Sequence, residues 1–130
     1  MYCFDTNIII DIFRGDENLR SKLKKFTETS ANVFITPITL CELYKGAYLH
    51  HNSVEKVKEV DDFVSSFDLL DFSLESARYF GNEYARLNKI GKQTKEFDLM
   101  IACIAKTKGL ILVTRDKKDF ENISANIEVW

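Results

Sequence analysis

The feature that most constrains the fold is a set of short apolar runs that do not alternate with polar residues. MYCF at the N-terminus, VFI at 33–35 and LILVT at 110–114 are the clearest of these runs. A strand with one face in water shows a polar residue at every second position, so such runs indicate strands covered on both faces. Segments with apolar residues at helical spacing separate them. This alternation predicts a parallel sheet with helices on both sides.

Capping and turn residues place the boundaries of the elements. The predicted strands are Met1–Phe4, Val33–Ile35, Phe67–Phe72, Leu110–Thr114 and Ile127–Trp130. The predicted helices are Asn7–Phe13, Glu17–Glu28, Pro37–Leu49, Ser53–Ser66, a long helix from Ser73 through Asn88, Lys95–Lys108, and a short helix or turn after Asp116. Apolar residues at helical spacing predict the packed faces of two of these helices, Val54, Val57, Val60 and Val64 in one and Ala77, Phe80, Tyr84 and Leu87 in the other.

Length and composition indicate one soluble domain. The chain has 130 residues, of which 45% are hydrophobic and 29% charged, so we expect a single domain over residues 1–130. No apolar run is long enough to cross a membrane and no secretory leader is recognisable, which predicts a cytoplasmic protein with no membrane partner. The net charge of −2 gives no overall positive field for nucleic acid. Polyanion binding would therefore need local basic patches or bound cations.

The three cysteines predict neither a disulfide nor a zinc site. Cys3, Cys41 and Cys103 lie far apart and beside hydrophobic neighbours, without the close Cys or His spacing of zinc ligands. We therefore expect three buried free thiols.

Four acidic residues occupy positions that suggest a site. Asp5 and Asp116 each follow a predicted parallel strand, and ligand sites in such sheets form beyond the carboxyl ends of the strands. Asp98 and Glu42 lie in the first turns of helices, among apolar residues where an unpaired carboxylate is costly. Carboxylates gathered at one edge would repel each other unless a hard divalent cation sat among them. Together the four acids predict an Mg²⁺ or Mn²⁺ site.

Taken singly, each acid also has an ordinary structural explanation. Asp5 could be a turn or helix-cap residue, and Glu42 could simply face solvent. Asp98 could be stabilised by the helix dipole or by an arginine, and Asp116 could lie in a solvated turn. A protein in which these acids are only structural would be a non-catalytic binding module.

Four blocks of sequence carry a resemblance to a known family, in the order and spacing that the family shows. They are MYCFDTNIIIDIFRG, ITPITLCELYKGA, FDLMIACIAKTKGLILVTRDKKDF and IEVW. The chain resembles the PIN-domain ribonucleases and, among them, the VapC-like toxins of toxin–antitoxin pairs. The resemblance implies a PIN-like three-layer α/β/α fold with a central, mainly parallel sheet of four or five strands.

The resemblance also implies roles for individual residues. Asp5, Glu42 and Asp98 match the near-invariant acids, Asp116 matches a fourth position that is Asp or Asn, and Asp119 is a less favoured ligand. Thr6, Asn7 and Thr114 match small polar positions, which we interpret as groups that orient the acids. Possible RNA contacts are Lys92 and Lys95, in the basic loop before Asp98, and Arg115.

The activity implied is metal-dependent hydrolysis of RNA, with tRNA or rRNA as substrate. The family further implies a homodimer and a VapB-like antitoxin whose C-terminal segment covers the active-site groove. A PIN nuclease with a housekeeping role in RNA processing or on DNA would use the same acids and is the nearest alternative. A phosphatase of the haloacid dehalogenase type is disfavoured, because its first strand precedes Asp-x-Asp and here Asp5-Thr6-Asn7 follows.

Overall fold

Five strands form one sheet in the computed structural model, which describes residues 1–130. They are β1 (Tyr2–Phe4), β2 (Val33–Ile35), β3 (Asp68–Leu69), β4 (Ile111–Thr114) and β5 (Ile127–Val129). Their order across the sheet is β3-β2-β1-β4-β5, and every neighbouring pair is parallel. The predicted parallel sheet and the predicted fold class are confirmed.

Seven helices connect the strands. They are α1 (Thr6–Phe13), α2 (Glu17–Glu28), α3 (Pro37–Leu49), α4 (Ser53–Val64), α5 (Leu74–Lys89), α6 (Glu96–Thr107) and α7 (Lys117–Phe120). The caps follow the sequence signals, since the side chains of Asp16, Thr36 and Ser73 each accept a backbone N–H of the first helical turn. Gly15 after α1 and Gly109 after α6 have φ of 99° and 70°, a conformation that favours glycine.

Both faces of the sheet are buried, which explains the absence of alternation in its strands. Cys3 of β1 and Leu112 of β4 belong to a core cluster shared with α5, α6 and α7. Their neighbours Phe4 and Val113 belong to a second cluster, shared with α1, α2, α3 and α4. Consecutive residues of a strand point to opposite faces, so both kinds of position must be apolar.

The strand order creates a switch point between β1 and β4. From β1 the chain proceeds through β2 to β3 on one side, and it then crosses to β4 and β5 on the other. Beyond the carboxyl ends of the central strands lie Asp5 after β1, Thr36 after β2, and Thr114 with Asp116 at the end of β4. This edge is the place where the fold positions a site.

Two predicted helix faces are only partly right. Val60 is buried on α4, but Val54, in the first turn, is 85% exposed because the helix approaches the core only further along. On α5, Leu87 is buried whereas Ala77 and Tyr84 are exposed. The buried face of α5 is centred on Ser76 and Glu83, polar residues that an apolar pattern does not reveal.

Two further predictions need correction. Cys3 and Cys103 are buried free thiols, but Cys41 is exposed, because it lies on the side of α3 that faces away from the core. The strand predicted over Phe67–Phe72 contains only the pair Asp68–Leu69, since it is an edge strand that β2 pairs over two positions. No helix combines the length and the hydropathy needed to cross a membrane.

Candidate active site

Asp5 is held at the end of β1 by neutral hydrogen-bond donors. It is the N-cap of α1, and its carboxylate accepts the backbone N–H of Thr6 at 2.7 Å and the hydroxyl of Thr114 at 2.9 Å. The residue is 2% exposed and forms no ion pair. The sequence left open a helix cap or a site acid; the structure shows the cap, and the role as a site acid stays a prediction.

A network of threonine hydroxyls joins Asp5 to Glu42. Thr6 Oγ1 donates to Glu42 Oε1 at 2.9 Å and lies 3.1 Å from Thr39 Oγ1. Thr39 Oγ1 in turn lies 3.3 Å from Thr36 Oγ1, the N-cap of α3. The start of α1 and the start of α3 are thus connected, and Glu42 is oriented towards the edge where Asp5 lies.

Asp98 completes the set of three acids from distant parts of the chain. It lies in the first turn of α6 and is half-buried. The adjacent Phe97 is 48% exposed, so the apolar residues beside Asp98 do not all bury the start of this helix. Burial raises the pKa of Asp98 to about 7, and the charges of Asp5, Asp119 and Glu42 add to the increase while Lys95 opposes it.

The pKa of Asp5 responds to the same neighbours. Burial raises the pKa of Asp5 to about 6 against the effect of its hydrogen bonds from Thr114 and Thr6, and the charges of Glu42 and Asp119 raise it further. We call Asp5, Glu42, Asp98 and Asp119 the acid cluster. The charges of Glu42 and Asp119 raise the pKa of both Asp5 and Asp98, so repulsion between carboxylates acts on both residues. The assignment of Asp5, Glu42 and Asp98 as metal ligands stays a prediction.

Two residues, Asp116 and Asp119, are candidates for the fourth acid of the site. Asp116 follows β4, its backbone N–H donates to Thr114 Oγ1 at 3.1 Å, and it lines an open depression with Asn7 and Arg115. The charge of Asp119, the less favoured ligand in the sequence, raises the pKa of both Asp5 and Asp98, as that of Glu42 does. Asp119 lies on helix α7, which has only four residues. A helix this short leaves no periodic pattern in the sequence, so the sequence did not indicate where Asp119 lies. The assignment of Asp116 stays a prediction, and Asp119 is a second candidate.

The basic residues have different partners. Lys95 Nζ lies 3.2 Å from Asp119 Oδ2, and its side chain is 73% exposed. Arg115 pairs with Asp11 at 2.9 Å and with Asp16 at 3.2 Å, which ties α1 and α2 to the end of β4. Lys92 forms no ion pair and lines a cavity of about 280 Å³ beside Tyr84.

Comparison with known proteins places this arrangement in a family. The family model for the PIN domain matches residues 2–126. The chain belongs to the PIN-domain family. Ribonuclease VapC2 of Haemophilus influenzae is 34% identical over 99% of this chain and 97% of its own length. The tRNA(fMet)-specific endonuclease VapC of Shigella flexneri is 32% identical over the same shares.

A solved structure extends the likeness to three dimensions. VapBC2 from Rickettsia felis, crystallised with a DNA fragment from its promoter, superposes on this PIN domain with a TM-score of 0.92 at 26% identity. The match covers 99% of this chain and 98% of that one. The family resemblance read from the four sequence blocks is confirmed, and this PIN domain falls among the VapC proteins.

The donor set of this PIN domain fits a hard divalent cation. The acid cluster offers only carboxylate oxygens, the ligands that Mg²⁺ and Mn²⁺ take, and Thr6 and Thr114 orient two of the carboxylates. No three of the side chains converge closely enough to hold an ion as they stand. Binding would therefore require the carboxylates to move closer together, and a bound cation would offset the repulsion that opposes such a movement.

Proposed function

We propose that this chain is an Mg²⁺-dependent endoribonuclease, with Mn²⁺ as a possible substitute, that acts in the cytoplasm as the toxin of a toxin–antitoxin pair. The observation that carries the proposal is the acid cluster at the switch point of a PIN domain, with Asp5 and Asp98 both raised in pKa. A chain folded only for stability has no reason to gather Asp5, Glu42 and Asp98, none of which forms an ion pair, from three distant segments.

In this proposal Asp5 and Asp98 hold the cation, and Glu42, oriented by the Thr6 hydroxyl, closes the set. Thr114 fixes the rotamer of Asp5, and Asp116 or Asp119 provides a fourth carboxylate. When bound, the ion lowers the pKa of water and offsets the negative charge of the phosphoryl oxygens. The carboxylates orient the attacking water for in-line hydrolysis of the phosphodiester.

We propose tRNA as the substrate class, with rRNA as the alternative. The Shigella flexneri relative is named as specific for tRNA(fMet), and it matches nearly the whole of this chain. The candidate phosphate contacts are Lys92 and Lys95 in the loop before α6, and Arg115 after β4.

A VapB-like antitoxin is the proposed partner, and a homodimer the proposed assembly. Support for the antitoxin comes from a groove of about 460 Å³ between α1, α3 and α4. Ile10, Phe13 and Leu43 provide its apolar wall, and Glu42 of the acid cluster lies at its margin. A peptide in this groove could extend a basic side chain to the acids, since an opposite charge stabilises them.

Induced expression followed by sequencing of RNA ends tests the activity and finds the substrate. Wild-type protein should arrest growth and produce new 5′ ends at defined positions of a tRNA, whereas Asp98→Asn, of nearly the same shape, should produce none. Purified wild-type protein should cleave that RNA with Mg²⁺ and not with EDTA. Cleavage by purified Asp98→Asn at the wild-type rate would refute the site assignment.

A further inference from the structure

Lys95 occupies a position that does not suit a lysine. It is the N-cap of α6, yet it makes no side-chain cap hydrogen bond to the helix. Ser, Thr, Asp and Asn are preferred there, and the positive end of the helix dipole disfavours a cation. Helix stability therefore does not account for Lys95, and its ammonium group has a different contact.

That contact is with the acid cluster. Lys95 Nζ lies 3.2 Å from Asp119 Oδ2, and no other member of the cluster forms an ion pair with any side chain of the protein. Asp98 follows Lys95 by one helical turn, and the positive charge of Lys95 acts on Asp98 as well as on Asp119. Lys95 is thus the single cation that the chain places at this group of carboxylates.

We propose that Lys95 is a tethered counter-ion that competes with the divalent cation for the acid cluster. In the metal-free protein it neutralises Asp119 and part of the field at Asp98. When a divalent ion binds, the ammonium group swings away, which its exposed position allows. This inference rests on the proposed metal centre. Lys95 is a positioning residue here, because it acts on the ion through the carboxylates.

Metal affinity measured by calorimetry tests the inference without any RNA. We expect Lys95→Ala to bind Mn²⁺ roughly five- to tenfold more tightly than wild type, the effect of removing one unit charge several ångströms from a doubly charged ion. Lys95→Arg, which keeps the charge, should bind as wild type does. Lys92→Ala, the matched control, removes the same charge from the same loop without touching the cluster and should change the affinity less than twofold.

A second measurement guards against an effect on folding alone. In EDTA, Lys95→Ala should melt at or slightly below the wild-type temperature, whereas with Mn²⁺ its melting temperature should rise by more than that of wild type. In an Asp119→Asn background the gain in affinity from Lys95→Ala should shrink, because Lys95 no longer has its carboxylate partner.

The outcomes separate the two proposals. Equal or weaker Mn²⁺ binding by Lys95→Ala, with clear binding by wild type, would overturn the role of Lys95 and leave the proposed metal centre intact. Absence of Mn²⁺ binding from wild type and every variant would overturn both. If Mn²⁺ bound tightly to Lys95→Ala and not detectably to wild type, the result would support the proposal, because the Lys95 ammonium group would then exclude the cation from the acid cluster.

Discussion

Two buried carboxylates, Asp5 and Glu83, differ in how the protein compensates them. Each residue is 2% exposed. Glu83 on α5 pairs with the guanidinium of Arg86, which also donates to the carbonyl oxygen of Asn122 at 2.6 Å. Asp5 at the end of β1 accepts hydrogen bonds only from an amide and a hydroxyl, and the charges that act on it are those of the acids Glu42 and Asp119.

The difference distinguishes a structural acid from a site acid. The Glu83–Arg86 pair holds the segment before β5 against α5, so its cation is part of the fold. Asp5 lacks an internal cation of its own, and burial and acidic neighbours raise its pKa to about 6. Glu83 has an arginine partner within the protein and Asp5 has no cationic partner. The carboxylate of Asp5 can therefore interact with a bound cation.

Removing the charge of Asp5 should have the largest effect on function and little on stability. We expect Asp5→Asn to lower the rate of RNA cleavage at least about a hundredfold, because loss of a ligand costs more than loss of its supporting hydrogen bonds. Its melting temperature in EDTA should be equal to or above that of wild type, since a repelled charge is gone. Initial rates and thermal melts measure the two effects. Cleavage by Asp5→Asn at the wild-type rate, or a clear loss of its stability in EDTA, would contradict the distinction between Asp5 as a site acid and Glu83 as a structural acid.

The pH dependence of stability should run opposite to that of a paired acid. The pKa values of Asp5 and Asp98 rise on folding to about 6 and about 7, so between about pH 4 and pH 7 the folded state binds more protons than the unfolded state. Metal-free protein should therefore be most stable at the acid end of this window and lose up to about 3 kcal/mol from Asp5 as pH rises through it.

Urea unfolding at about pH 5 and about pH 8, in EDTA and in Mn²⁺, measures this dependence. Saturating Mn²⁺ should abolish the loss, because the bound ion favours the ionised carboxylates. Stability that rises with pH in EDTA would mean that Asp5 and Asp98 are compensated as Glu83 is.

Removing the charge of Glu83 should instead affect stability alone. We expect Glu83→Gln to lower the free energy of unfolding by about 1–2 kcal/mol, because a charged hydrogen bond to Arg86 is lost. RNA cleavage at a temperature where the variant is folded should be unchanged. Glu75→Gln, an exposed acid on the same helix, is the control and should change neither quantity. A large loss of activity in Glu83→Gln would show that α5 controls the site.

The sequence could nominate candidate site acids because the signals for them are local. Asp5 directly follows an apolar strand, and Glu42 and Asp98 lie early in helices with clear caps or glycine stops. Strand ends and helix starts alternate strictly in a parallel sheet, so positions along the chain determine which edge a residue reaches. The parallel sheet and the burial of both its faces are therefore readable from apolar runs, whereas the order of the strands across the sheet comes only from the structure.

Contacts between distant segments were not readable in this way. Thr39 joins the hydroxyl network only because α1 and α3 start side by side, and Asp119 reaches the cluster only through the short helix α7. Buried polar residues such as Ser76 and Glu83 interrupt the apolar face of α5. For this reason the apolar pattern wrongly placed Tyr84 on the buried face. Each depends on a partner in another element, and a single sequence does not show such pairings.

The smallest expected effect is on the salt dependence of RNA binding and concerns the lysines of the loop before α6. These lysines, like the buried acids, differ in whether they have a partner of opposite charge. Lys92 has no acidic partner, so its charge is free for an RNA phosphate, whereas Lys95 is paired with Asp119. We expect Lys92→Ala to reduce the slope of log binding constant against log salt by about 0.7–0.9, the contribution of one phosphate contact. Lys58→Ala on α4 is the control, and binding is measured with Asp98→Asn protein so that RNA stays intact. An unchanged slope for Lys92→Ala would mean that an unpaired lysine on this loop is only a solvated side chain, and that RNA reaches the acid cluster by other contacts.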